Sequence, residues 1–468
     1  MLLGCSRFIR CLAAMLFVGG TAACESRHVL GREFIKQGCG SFVAGTDLKV
    51  CSAGFVGNLA APIEPAVDVG GDAALILSSQ DLAAFPAAVL YKLGAGNAGV
   101  VRVEPASRQI LSLSVLGSQI VDVEVSRSQG LIAVLGQPFG VALLSADGGR
   151  LLWSAAIQGE RVSVGRDGTV AVWTGGTATV SLFDNAGTKL SSFATRIGGP
   201  LGDVAVDGVN KLVVVTGTAA GEMAGQPVLD AFDYQGTMRW RAYNNAKSEV
   251  QTQQLNAVSM GVRVQMGLDG QLYFLGESRG GNTVFSRDPQ QLLEPAPLVN
   301  FDAFNTPYNT NQAIIFVARL VPSTGVLSVG QLLLARTPGT APQKGTATHA
   351  NAIAADELGN VLVSGTHACC GPNASQLKVA GQTVKGAASD VFALQLAADF
   401  RSRSLWTTFG TTGSSLAGGV AIGGGVAAVV AVQAQSESAL GPLVTSQPLA
   451  QSKPIVGFGA YLAFWPSP

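Results

Sequence analysis

From residue 63 to the C-terminus, apolar residues come in short runs of Val, Leu, Ala and Ile, some alternating with polar residues and some continuous. Most runs stop at Asp, Gly or Asn. Short β-rich runs bounded by such residues predict strands, and Asp-Gly between two apolar runs is a strong local signal for a hairpin. The pattern repeats. One clear copy runs from Asp203-Val204-Ala205-Val206-Asp207-Gly208 through Leu212 to Val215 and Gly217, then Val228 to Asp233, the turn Tyr234-Gln235-Gly236 and Trp240. A second runs from Val162 to Val164 through Arg166-Asp167-Gly168, Val170 to Trp173, Val180 to Phe183 and the turn Asp184-Asn185-Ala186-Gly187. A third begins at Ala352 and reaches Trp406, and a fourth begins at Val121 and reaches Trp153. Weaker copies start at Val67, Met266 and Val420.

Each copy predicts four short strands joined by hairpin turns. No helical periodicity comes between them. A small antiparallel sheet with two apolar faces must be covered on both, and radial stacking of such sheets does this. The predicted fold is an all-β β-propeller of seven four-stranded antiparallel blades over residues 63–468, with six or eight blades left open. Two copies are longer than the rest: Asn282 to Asn311 in the fifth, rich in Pro and aromatics, and Thr366 to Ser389 in the sixth. Long loops on a rigid scaffold are where binding commonly resides, and decorative loops are the alternative.

Composition agrees with stacked sheets. Charged residues are 13% of the chain, about half the usual share, as expected where little of either sheet face meets water. Thirty Lys and Arg balance thirty Asp and Glu, and no basic run is present, so nucleic acid is excluded as an expected partner. The uncharged stretch Leu416 to Val432 is long enough to suggest a membrane helix, but its five glycines disfavour one by about 1 kcal/mol each. It aligns with Gly202 to Val215 and predicts two buried strands about a Gly turn.

The N-terminus reads as an export signal over residues 1–23. Arg7 and Arg10 precede the apolar run Cys11 to Gly20, and small residues lead into Cys24. Either Cys24 is lipidated after cleavage, or ordinary cleavage follows Ala23. Residues 24–62 then form an N-terminal linker. In an oxidising compartment Cys39 and Cys51 would close a short loop, worth about 2 to 3 kcal/mol through the unfolded chain. Pairing of Cys24 with one of them is the alternative, and the adjacent Cys369 and Cys370 form either a vicinal disulfide or two thiols.

The repeat resembles the bacterial β-propeller repeat family called SBBP. The matching residues are Asp356 to Gly365 with Asp390-Val391-Phe392-Ala393 and Leu405-Trp406, and Asp203 to Gly217 with Leu229 to Phe232 and Trp240. It is similar, more loosely, to quinoprotein propeller repeats, at Gly149 to Trp153. The resemblance covers roughly residues 63 to 467, and the first, fifth and seventh copies depart from it. It implies a secreted or surface-attached protein, commonly without known enzymatic activity, and it carries no catalytic residues across.

The chemistry-bearing residues are few. No His-Glu-x-x-His or P-loop occurs. His349, His367, Cys369 and Cys370 fall in one copy, but their spacing matches no established zinc pattern. Asp147, Asp167, Asp184, Asp207, Asp233, Asp269 and Asp356 sit at the hairpins, where Asp is expected for backbone reasons. Four of the five Trp follow the repeat as packing positions between blades. No catalytic, cofactor or metal residue is therefore expected, and no cofactor is implied. The expected function is an exported, lipid-anchored, non-enzymatic binding or scaffold module at the cell envelope, using the loops of the fifth and sixth copies. Its expected partner is an envelope or extracellular protein or glycan, and its only membrane contact the lipid. It is expected to be a monomer at the outer membrane or cell surface, with a periplasmic or secreted location as the alternative. The competing function is a propeller enzyme, a hydrolase, lyase or quinoprotein type, with a pocket on the central axis.

Overall fold

A computed structural model describes residues 45, 47–59, 65–70, 74–85, 89–126, 128–221, 225–299, 313–336, 345–367, 378–384, 390–410, 415–434, 443–449 and 458–467. All of them belong to one compact unit, Gly31–Pro468. The described chain is nearly all β and propeller-like, as the repeat pattern predicts.

Six sheets of four strands and one of five succeed each other along the sequence. The first holds Val67–Val69, Leu75–Ser79, Ala98–Glu104 and Gln109–Gly117, with Leu90–Lys92 added outside the last. The second holds Gln119–Val125, Ile132–Gln137, Gly140–Leu144 and Leu151–Ala155. The third is Arg161–Val164, Val170–Thr174, Thr179–Phe183 and Lys189–Ala194; the fourth is Ile197–Asp207, Leu212–Ala219, Pro227–Asp233 and Met238–Ala242. The fifth is Ser259–Met266, Leu272–Ser278, Ile314–Leu320 and Leu327–Leu333; the sixth is Thr348–Ala355, Val361–His367, Asp390–Leu396 and Arg403–Thr408. The last is built from both ends of the chain. Ser415–Gly423, Val426–Ala434 and Phe458–Pro466 supply three strands, and Ser52–Leu59 pairs outside the third, with Ala53 opposite Ala463.

Local sequence makes these meanders. In the turn Asp184-Asn185-Ala186-Gly187, the Asp184 carboxylate accepts from the N–H groups of Ala186 and Thr188, and Gly187 takes φ +84°. Only glycine adopts that conformation without strain. Asp233 and Gly236 repeat the device one sheet later, with Gly236 at φ +83°. All seven hairpin aspartates bond backbone N–H groups two residues on, which is the turn role expected of them.

The core lies between sheets, not within them. All but one of the apolar clusters join two sheets consecutive in the sequence. Ala171, Trp173, Val180 and Leu182 of the third sheet meet Val204, Val206, Val213 and Val215 of the fourth. The last sheet faces the first in the same way, with Val426, Ala428, Val430, Leu462 and Phe464 against Leu75, Leu77, Val101 and Val103. The sheets therefore close a ring, with the first strand of each nearest the axis and against the first strand of its neighbours. The tryptophans serve these interfaces. Trp173 and Trp465 are fully buried, Trp153 packs on Phe183 at 5.7 Å between ring centroids, and Trp240 Nε1 donates to Pro322 O at 2.9 Å.

Ser52–Leu59 falls in the segment 24–62 expected as a linker, and the structure makes it the closing strand of the ring. The physical reason is that the last copy supplies only three strands. Without a fourth, the outer edge of Phe458–Pro466 would show a row of unpaired N–H and C=O groups. The stretch Leu416 to Val432 does form two strands about Gly424 and Gly425, and no described helix is long and apolar enough to cross a membrane.

Strand direction alternates within each sheet, so second-to-third and sheet-to-sheet connections share one face of the ring, and the other turns share the opposite face. The long connections, 80–97, 279–313, 368–389 and 435–457, all lie between second and third strands, in the first, fifth, sixth and seventh sheets. Several of their described parts cover outer strands. Leu90–Lys92 pairs with Gln109–Gly117, Leu298 bridges to Gly330, Ser446 bridges to Ala53, and Leu443 bridges to Gly410 just beyond Arg403–Thr408.

Candidate functional site

The first strands of the sheets line a cavity of about 100 Å³ on the ring axis. Its ionisable and amide groups are Asp68, Asp122, Glu124, Arg161, Asp203, Arg263, Gln265 and Asn351, and Gly418 and Gly419 complete the wall at the last sheet. Four carboxylates and two guanidinium groups thus share a confined space inside an otherwise apolar ring.

Most of these groups already have backbone partners. Asp68 accepts from Val69 N and, across the sheet interface, from Val125 N, both at 2.8 Å. Asp122 accepts from Val123 N at 3.0 Å and from Val162 N of the third sheet at 2.9 Å. Ser163 Oγ accepts from Val206 N of the fourth sheet, and Asp203 accepts from Val264 N of the fifth, both at 3.0 Å. Glu277, at the loop-face end of the fifth sheet, accepts from Ala350 N of the sixth at 3.3 Å. Asn351 donates to Ala417 O and Gly418 O of the seventh at 2.7 and 2.6 Å, and Gly419 N donates to Pro65 O at 3.0 Å, which returns the series to the first sheet. One polar stitch therefore crosses every interface close to the axis.

Electrostatics there oppose ionisation at two positions. Burial pushes the Asp122 carboxyl up to about 6, against the opposing pull of Arg161, the Val162 N–H and Arg263. Burial also raises Asp203, again opposed by Arg263 and Arg161. The same two guanidinium groups act on both carboxyls, which places all four in one electrostatic neighbourhood.

The turn-face end of the axis is obstructed. Leu268, in the turn after Ser259–Met266, lies with its side chain against Gly423 of the seventh sheet. Its carbonyl accepts from Arg166 Nη2 of the third sheet, and its N–H donates to Ala355 O of the sixth. Partners on sheets that do not flank the fifth mean that this turn reaches across the axis.

Of the residues singled out in the sequence, His349 sits at the fifth–sixth interface with Nδ1 3.1 Å from Glu277 Oε1, which holds its pKa above the ordinary histidine value. His367 is buried beside the Phe392 ring, at 6.3 Å between centroids. Among the described residues no three His, Cys, Asp or Glu are grouped to hold a metal ion. Cys51 is buried at the foot of Ser52–Leu59. Cys24, Cys39, Cys369 and Cys370, and the export signal over 1–23, lie outside the described residues. Of the fifth-sheet insertion, Phe285 is buried and stacks on Phe316 with centroids 4.6 Å apart, so this part of the loop packs inward. The axial residues were not singled out in the sequence, though a signal exists. Asp stands directly before Val on three first strands, at Asp68-Val69, Asp122-Val123 and Asp203-Val204.

No known protein family and no curated protein matches the chain. Among solved structures it is similar to hydrazine synthase of Kuenenia stuttgartiensis, at 12% sequence identity over 67% of this chain and 76% of that one, with a TM-score of 0.37.

Proposed function

We propose that the protein is an exported, lipid-anchored seven-bladed β-propeller of the SBBP-repeat type, acting as a non-enzymatic binding or scaffold module at the cell envelope. The observation that carries the non-enzymatic part is the axial cavity. At about 100 Å³ it falls well below the roughly 300 to 1,000 Å³ of small-molecule sites. Both carboxylate oxygens of Asp68 and of Asp122 accept backbone N–H groups, one from the next residue of the same strand and one from the neighbouring sheet. A general acid or base needs an oxygen directed at substrate, and these are directed at the scaffold. Recognition then belongs to the outer surface, where the partner is an envelope or extracellular protein or glycan. Export and anchoring rest on residues 1–24, and pairing of Cys39 with Cys51 follows from export.

The competing reading, an enzyme with its pocket on the axis, draws on Asp122 with its raised carboxyl beside Arg161 and Arg263. Intact-mass analysis of protein from fractionated cells separates the claims. Export predicts a chain beginning at Cys24 and carrying diacylglycerol in the membrane fraction, and an unprocessed cytoplasmic chain overturns it. For the enzyme reading, Asp122→Asn should abolish any turnover found by activity screening. Turnover unchanged by that substitution would place it away from the axis.

A further inference from the structure

The described long connections cover outer edges in the first, fifth, sixth and seventh sheets, whereas no described residue pairs outside Leu151–Ala155, Lys189–Ala194 or Met238–Ala242 in the second, third and fourth. An uncovered edge is a template for another strand unless charge or geometry blocks it. The three edges differ in what they present.

In an antiparallel ladder, residues alternate between bonding the neighbouring strand and pointing their backbone groups outward. Thr195 N donates to Ala178 O at 2.9 Å, and Phe193 stands opposite Val180 and Ser191 opposite Leu182. Ser191, Phe193 and Thr195 therefore bond inward, Ser192 and Ala194 direct N–H and C=O away from the sheet, and Leu190 is the extra residue at the register shift opposite Leu182 and Phe183. Leu190, Ser192 and Ala194 are exposed, and Leu190 keeps 44% of its surface accessible. In the fourth sheet Asp233 N donates to Thr237 O, and the register shift between Ala231 and Phe232 makes Trp240 and Ala242 bond inward and leaves Arg239 and Arg241 outward on the edge. In the second sheet only Leu152 and Ser154 point outward.

We propose that Lys189–Ala194 pairs with the same strand of a second copy of this chain, antiparallel about a twofold axis at Ser192. Twofold pairing requires outward residues to face outward residues, which sets Leu190 opposite Ala194 of the second copy and Ser192 opposite itself. The Ser192 pair supplies two backbone hydrogen bonds in regular ladder geometry, the Leu190–Ala194 pairs flank it at the register shift, and no like charges are opposed, since Lys189 lies opposite Thr195. The fourth sheet's edge fails the same test. Its register sets Arg239 against Arg241 of the second copy, a like-charge pair that destabilises a ladder. A formal net charge of zero leaves no long-range repulsion between copies. The dimer replaces the monomer expected from the sequence and is independent of what the envelope partner is.

Sedimentation equilibrium of the purified chain over a range up to about 100 μM should show a concentration-dependent rise to twice the chain mass, as suits a small interface. Ala194→Pro removes an outward N–H but no ladder bond within the third sheet, so it should give monomer at every concentration with an unchanged melting temperature. Ser192→Cys should cross-link two chains through position 192 under mild oxidation, because paired Cα atoms about 5.5 Å apart lie within disulfide reach. Ser154→Cys, on the neighbouring sheet, should not. A parent chain that stays monomeric throughout overturns the proposal, as does a dimer indifferent to Ala194→Pro that lacks the cross-link at 192.

Discussion

Asp122 offers a test of the axial stitching in which sign and magnitude both matter. Its carboxyl is raised from 3.8 to about 6, chiefly by burial. Between those values the unfolded chain has released the proton and the folded chain has kept it. The folded state then binds more protons, so stability is fully present below about pH 4 and falls as pH rises through 6. At about 1.4 kcal/mol per pKa unit, the loss by pH 7 is about 3 kcal/mol. Asp122→Asn stands in for the protonated carboxyl, since it is neutral and keeps one acceptor. It should match the parent near pH 4 and exceed it by about 3 kcal/mol at pH 7. For a chain of this length that corresponds to a melting temperature higher by roughly 3 to 6 °C. Asp122→Ala separates the other role of the side chain. It leaves Val123 N and Val162 N without their acceptor and should destabilise at every pH, by about 2 to 4 kcal/mol. Thermal melts of the three proteins from pH 4 to pH 8, followed by tryptophan fluorescence, supply the comparison. An Asn variant less stable than the parent at pH 7 would refute the reasoning, because it would mean that Arg161 and Arg263 outweigh the desolvation.

Three further predictions concern the interfaces. A Cβ at Gly202 would fall 2.8 Å from the buried Trp173 ring, so Gly202→Val should cost about 3 kcal/mol, read as a fall in the denaturation midpoint; an unchanged midpoint would show that this interface yields. Phe55 is fully buried on the closing strand, and Phe55→Ala should cost about 3 to 5 kcal/mol in chemical denaturation. The pKa of His349 is raised by its bond to Glu277, so its contribution to stability is present below the unfolded histidine value and is lost as pH rises through the folded one. His349→Gln should flatten the parent's stability profile on that stretch, and NMR titration of the ring would reveal an unshifted histidine if the pair does not form.

The turns and first strands were legible because their signals are local. Asp at a hairpin declares itself within four residues, as at Asp184 and Asp233, and short apolar runs bounded by such turns read as strands without knowledge of their neighbours. The closing strand was not. Ser52–Leu59 reads SAGFVGNL, which has two glycines, no strict alternation and no flanking hairpin, and its partner lies at the far end of the chain. Ring closure is a demand of the whole sheet order, and no window of sequence carries it. The axial site was half legible. The Asp-Val pairs recur, but only the ring brings Asp122 and Asp203 near Arg161 and Arg263, and only the burial that follows sets their charge state. The long connections were found at the right places in the fifth and sixth sheets. Their role as edge covers depends on bridges such as Leu298 to Gly330, which no local pattern announces.

The central claim is a ring closed by its own N-terminal segment, and amide hydrogen exchange tests it most directly. In a closed ring, the ladder amides of Ser52–Leu59 exchange as slowly as those of Val426–Ala434, and both open in one cooperative event. Exchange of Ser52–Leu59 within seconds, while Val426–Ala434 stays protected, would contradict it.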